Sequence, residues 1–143
     1  MSMIPKWLLF SLASALFASL TAIFGKIGVS EINSNLATFI RTVIILIVSG
    51  LIVTSNSEWQ KINFKNNISL IFIILSGIAT GLSWLCYYRA LQLGPVSKVA
   101  PIDKLSVAIT IALSIIILQE KISWSTILGG CLIVTGSLVI ALF

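Results

Sequence analysis

Four ionisable side chains, Arg41, Arg89, Asp103 and Lys104, sit inside or at the edge of long apolar runs. Polar and small residues recur around them at spacings of three and four, which share one face of a helix. The stripes read Ser11, Ser14, Ala18, Thr21 and Gly25; then Thr38, Arg41, Thr42 and Ser49; then Ser76, Thr80, Ser83 and Tyr87; and finally Asp103, Ser106, Thr110 and Ser114. General acid–base catalysis has little to work with here. There is no histidine, no metal-ligand cluster and no pair of carboxylates within one apolar run. An enzyme is therefore a poor reading, and no cofactor or metal is expected. What an arginine, an aspartate and a line of hydroxyls can do is bind. They suit the wall of a polar cavity for a small charged solute, with Arg41, Thr42, Ser83, Tyr87, Asp103, Ser106 and Thr110 as the candidate lining.

The elements that must position these groups follow from composition. The chain has 143 residues, 58% of them hydrophobic and only 9% charged, whereas soluble domains carry about a quarter charged residues. A membrane-spanning helix needs roughly 20 mostly apolar residues, and five such segments are legible: 7–25, 36–55, 68–93, 100–118 and 124–143. The fold class expected is an all-α, multi-pass integral membrane protein, with residues 1–143 forming one transmembrane domain. The first run, from Trp7 to Phe24, exceeds the apolar core of about 7–15 residues usual in a signal peptide, so it reads as a retained helix. The net charge of +5 is spread over short loops and reads as membrane-flanking charge, so no nucleic-acid partner is expected. Cys86 and Cys131 fall inside the apolar segments, where a free thiol behaves as a small hydrophobe.

The stretch GPVSKVAPIDKLSVAIT, residues 94–110, joins the third and fourth segments. Gly94-Pro95 is a turn signal, and Pro101 is expected in the first helical turn, where its missing N–H costs nothing. Asp103 would then sit near a helix N-terminus and interact favourably with the dipole. Lys104 points about 100° away and suits snorkelling to the interface. Arg41, about six residues inside its helix, is open to two readings, a lipid-facing cation or a cavity group. Glu120, at a helix C-terminus, opposes the local dipole; Lys6 is an expected partner. Gly77 and Gly81, with Gly129 and Gly130, are expected to let helices approach closely.

Five spans put the two termini on opposite sides of the membrane. The N-terminal side, side A, carries Lys6, Lys61, Lys65 and Lys121; the other, side B, carries Lys26, Arg41, Arg89, Lys98 and Lys104. Orientation follows the excess of Lys and Arg in short cytoplasmic loops, and four against five is hardly an excess. Two readings are open: the tally carries no orientation signal, because Arg41, Arg89 and Lys104 sit partly inside helices, or the balance reflects insertion in both orientations and an antiparallel homodimer. Trp7, Trp59 and Trp124 fall on side A, as an interfacial aromatic belt would. On side B the five cations face Glu31 and Asp103, leaving +3, a field that favours anionic or zwitterionic solutes.

The segments WLLFSLASALFASLTAIFGKIGVSEINSNLATFIRT, YYRALQLGPVSKVAPIDKLSV and LQEKISWSTILGGCLIVTGSLVIAL together resemble the EamA branch of the drug/metabolite transporter superfamily, and its small five-helix bacterial members most. The resemblance covers nearly the whole chain. It implies that the five helices are one half of a ten-helix inverted-repeat architecture around a central cavity, so the unit would pair with itself or a sister. It matches the family's second-helix arginine to Arg41, its fourth-helix proline to Pro101 and its helix-ending glutamate to Glu120. One departure is clear: where relatives often have Leu-Gly-Glu, this chain has Leu118-Gln119-Glu120. The expected function is a small-solute transporter of the cytoplasmic membrane working by alternating access. The cation antiport of four-helix relatives, which by resemblance needs a first-helix carboxylate, is disfavoured because the first helix has no acid. The alternative is a non-transporting accessory subunit or a half-transporter partner in a heteromeric membrane complex.

Overall fold

The computed structural model describes residues 5–60 and 68–143. Lys61 and Lys65, two of the cations assigned to side A, lie outside the described residues. Five helices are long and apolar enough to cross a membrane: α1, Lys6–Gly28; α2, Ser34–Ser55; α3, Ile68–Leu93; a fourth span made of α4, Val96–Asp103, and α5, Leu105–Ile117; and α6, Trp124–Leu142. No strand occurs among the described residues. The all-helical reading of the sequence holds.

The starts are set by local chemistry. Pro5 precedes α1 and its carbonyl accepts from Leu8 N–H. Asn33 caps α2 by accepting from Asn35 N–H, and Ser123 caps α6 by accepting from Thr126 N–H, each supplying an acceptor to an orphan donor of the first turn. At the end of α5, Gln119 adopts φ 55°, and Glu120 N–H donates to the Ser114 carbonyl. This is the left-handed residue that commonly closes a helix and that glycine fills without steric cost. It stands at the position where the resemblance implies a glycine. Gln119→Gly is therefore expected to raise stability by about 0.5–1 kcal/mol. The midpoint of thermal unfolding in detergent measures it, and a lowered midpoint would contradict the account.

The chain divides into two compact units. One comprises α1 up to Ile23 together with Leu93–Phe143. In it α6 packs against both α4 and α5. Here the structure corrects the reading of Pro101. The helix starts at Val96, directly after Pro95 in extended conformation, so Pro101 lies inside α4 and not in its first turn. An interior proline offers no N–H to the carbonyl four residues back, and its ring crowds that carbonyl. The helix breaks three residues later at Lys104 (φ −70°, ψ −7°), and α5 begins at Leu105. A membrane-level break needs its backbone groups satisfied by protein. The buried Ser137 hydroxyl of α6 donates to the Pro101 carbonyl at 2.8 Å, a bond of the kind worth about 1 kcal/mol in membrane helices. Asp103 accordingly ends α4 and precedes α5, where a first-turn position was expected.

The second unit is Phe24–Gln92: the end of α1, α2, and α3 to its last turn. Long side chains tie it together. Lys26 Nζ donates to the Leu91 carbonyl, placing a cation on a helix C-terminus where the dipole favours it. Gln92 Nε2 donates to the carbonyls of Val29 (3.2 Å) and Ile32 (2.9 Å), and its Oε1 accepts from Arg89 Nη1 at 3.0 Å. Val29, Ser34, Thr38, Tyr88 and Leu91 form its buried core. Most other apolar side chains of the spans stay exposed on the isolated chain. In a bilayer that surface is the lipid-facing or partner-facing one.

Candidate functional site

Within the second unit, α2 carries Arg41 seven residues past its start, about 10 Å along the helix. Its guanidinium carbon lies 3.3 Å over the centroid of the Trp84 ring and 5.7 Å from that of Tyr88. Trp84 stands edge-on to Tyr87 (centroids 5.3 Å apart, 79°) and to Tyr88 (5.6 Å, 83°). Residues 84, 87 and 88 share one face of α3 by helical spacing. Tyr88 is buried and rests against Gly25 of α1, where an added Cβ would fall 3.1 Å from its Cε1. Three helices thus converge on one cluster: Gly25 seats Tyr88, Tyr88 and Tyr87 brace Trp84, and Trp84 carries Arg41.

The electrostatics of the cluster are unusual for a membrane level. Among the described residues Arg41 has no carboxylate within 4.0 Å. No buried side-chain nitrogen or oxygen there lacks a hydrogen-bond partner, so the unpaired N–H groups of this half-buried guanidinium remain accessible. The ring face stabilises the charge by about 0.5–2 kcal/mol, and the forked N–H edge is left for a carboxylate or phosphate, which it fits bidentately.

The remaining expected residues are distributed as follows. Tyr87 joins the cluster through Trp84. Thr42 turns its hydroxyl back to the Thr38 carbonyl at 2.8 Å, the local bond Thr often makes inside helices. Ser83 is exposed. In the other unit, Asp103 pairs with its neighbour Lys104 at 3.5 Å; both are partly open to solvent, and such pairs contribute about 0–1 kcal/mol. Ser106 and Thr110 are exposed on α5. That unit also holds a groove of about 560 Å³, but its walls are the apolar and small residues of α5 and α6, among them Ala108, Ala112, Ile115, Gly130 and Cys131. Asp103, Ser106 and Thr110 are not part of that wall. Glu120 is exposed, and no ion pair with Lys6 forms within 4.0 Å among the described residues.

The glycines separate into two kinds. A Cβ at Gly130 would meet Ile111 Cδ1 at 3.0 Å, so this glycine does permit close packing of α5 on α6. At Gly77, Gly81 and Gly129 a Cβ would meet nothing within 4 Å among the described residues. Gly25→Ala is therefore expected to strain the Tyr88 seat by about 1–3 kcal/mol, and Gly77→Ala to be neutral or slightly stabilising. Thermal unfolding of the two variants in detergent checks the contrast; equal losses would contradict it.

Trp84 and Tyr88 were missing from the residues singled out in the sequence, and Gly25 stood there only as one small residue of a stripe, because hydroxyls and charges marked the stripes. A signal existed. Of the four tryptophans, Trp84 is the one placed away from any interfacial belt, and the spacing 84, 87, 88 sets three aromatic rings on one face.

Five helices long and apolar enough to cross a membrane define a polytopic membrane protein. The chain belongs to the EamA-like transporter family, whose model matches residues 5–142. It is 45% identical over 141 residues to a Sinorhizobium protein described as an uncharacterized transporter in the cobO 3′ region, covering 99% of this chain and 100% of that one. An uncharacterized protein of Methanocaldococcus jannaschii is 27% identical over 135 residues, covering 94% and 96% of the two chains. No solved structure matches.

Proposed function

We propose that this transporter moves a small amphipathic solute bearing a carboxylate or another anionic group, such as an amino acid or related metabolite, across the cytoplasmic membrane by alternating access. The observation that carries the reading is Arg41: a guanidinium at membrane level, stacked on Trp84, with no acid to neutralise it among the described residues. Charge at such depth is expensive and is retained where it serves a path or a partner. The solute's anionic group takes the N–H edge of Arg41, and its apolar part lies along Trp84 and Tyr87. Thr42 and Ser83 are further candidate polar groups of the same unit, and Asp103, Ser106 and Thr110 are those of the other unit. The Sinorhizobium relative's description as a transporter supports a carrier over an enzyme.

The working unit we infer is an antiparallel homodimer, ten helices in all. The odd number of spans and the balanced Lys and Arg counts support it, since inverted pairs place a shared site near the membrane midplane. A thermal-stability screen of the purified protein tests the substrate class. Amino acids, organic acids and phosphorylated sugars are compared with the sodium salt of an inert anion. Stabilisation by at least one organic anion or zwitterion, abolished by Arg41→Gln, is expected. Stabilisation by none of them, or stabilisation that survives Arg41→Gln, would count against the reading and favour a non-transporting accessory subunit.

A further inference from the structure

The face of Trp84 is already occupied, and by a cation from the same chain. At 3.3 Å from the ring centroid, the Arg41 guanidinium is in direct stacking contact, leaving no space on that face for a second positive group. Tyr88 stands 5.7 Å from the guanidinium carbon, and Tyr87 packs edge-on to the indole. An indole face with neighbouring phenol rings is the arrangement that binds organic cations, quaternary ammonium groups above all. We propose that Trp84 and Tyr88 form an organic-cation site that Arg41 fills from within the chain, so that Arg41 is the specificity-determining residue that excludes quaternary ammonium compounds.

Two features make the site a standing one. Tyr88 is 5% exposed and lies close against Gly25, where an added Cβ would fall 3.1 Å from its ring. Trp84 is held edge-on by both tyrosines. The rings therefore keep their arrangement when the guanidinium leaves. Truncating Arg41 has two effects of the same sign: it vacates the indole face, and it removes the positive charge that would repel an incoming cation. A lysine in its place keeps the charge and can still reach the ring. The inference takes the cluster of the proposed solute site one step further, to what it refuses. Cation binding is read without transport, so failure of either reading leaves the other standing.

The test is calorimetric titration of the purified full-length protein in detergent with benzyltrimethylammonium. Wild type and Arg41→Lys are expected to bind weakly and alike. Arg41→Ala is expected to bind at least tenfold more tightly, and Arg41→Ala/Trp84→Ala to lose that gain. If Arg41→Ala is not monodisperse, Arg41→Met, which restores the apolar stem, takes its place in both comparisons. Equal affinity in wild type and the truncated variant overturns the proposal, as does a gain that survives removal of Trp84.

Discussion

Replacing Arg41 by glutamine is expected to lower solute flux by about 100-fold while leaving the protein inserted in the membrane. The magnitude follows from the bond that is lost. Removing one partner of a desolvated, hydrogen-bonded charge pair costs about 2–5 kcal/mol, and each 1.4 kcal/mol is a factor of about ten. Glutamine retains some reach and one amide, but neither the charge nor the fork. Lysine keeps the charge as a point on a flexible stem and loses bidentate geometry. Arg41→Lys is therefore expected to fall between, about tenfold below wild type. Stability should respond far less than flux, because the stack on Trp84 contributes only about 0.5–2 kcal/mol. Initial rates in reconstituted vesicles, normalised to incorporated protein, measure the series. Wild-type rates in Arg41→Gln would remove this residue from the site.

The second large effect concerns orientation. If the four-against-five balance of Lys and Arg leaves insertion undirected, each loop faces both sides of the membrane across the population. The two native cysteines, Cys86 and Cys131, are exposed and are first replaced by serine and alanine. Single cysteines are then introduced at Glu31, between α1 and α2, and at Gln60, beyond α2, both exposed and flanking opposite ends of the α2 span. An impermeant thiol reagent applied to intact cells should label about half of each population under undirected insertion, the remainder becoming reactive on permeabilisation. Complete labelling at one site with none at the other would exclude the antiparallel pair. The unit would then need a parallel or a different partner.

How much of this was legible in the sequence depended on which physics a residue obeys. The spans follow from the length and apolarity of uninterrupted runs, and those properties are local. The interruption at Lys104 was harder to read. Pro101 is tolerated in a first turn and disruptive in an interior, and which applies depends on whether the helix begins at Val96 or Ala100, a matter of one turn. Gln119 shows the converse. The resemblance marked a lost glycine, and the backbone keeps the glycine-like φ of 55° with a side chain in its place, because helix closure sets the geometry. The cluster around Arg41 was half legible. Arg41 and Tyr87 stood out as polar groups in apolar runs, but the partner that holds the guanidinium is an aromatic face on another helix, and hydroxyl spacing does not register it. Gly25 was read as one of a stripe of small residues, while its role is specific to the ring of Tyr88. Small-residue spacing alone does not distinguish it, or Gly130, from Gly77 and Gly81, which face open space.

The central claim is that this single chain suffices to carry an organic anion or zwitterion through a site built on Arg41. Solute counterflow tests it most directly. Liposomes containing only the purified protein are loaded with an unlabelled amino acid or organic acid, then diluted into a trace of the same labelled solute. Wild-type vesicles are predicted to accumulate label transiently for at least one such solute, with accumulation absent from protein-free vesicles and reduced about 100-fold by Arg41→Gln. No accumulation of any anionic or zwitterionic solute by folded wild-type protein, or equal accumulation by Arg41→Gln, would contradict the account.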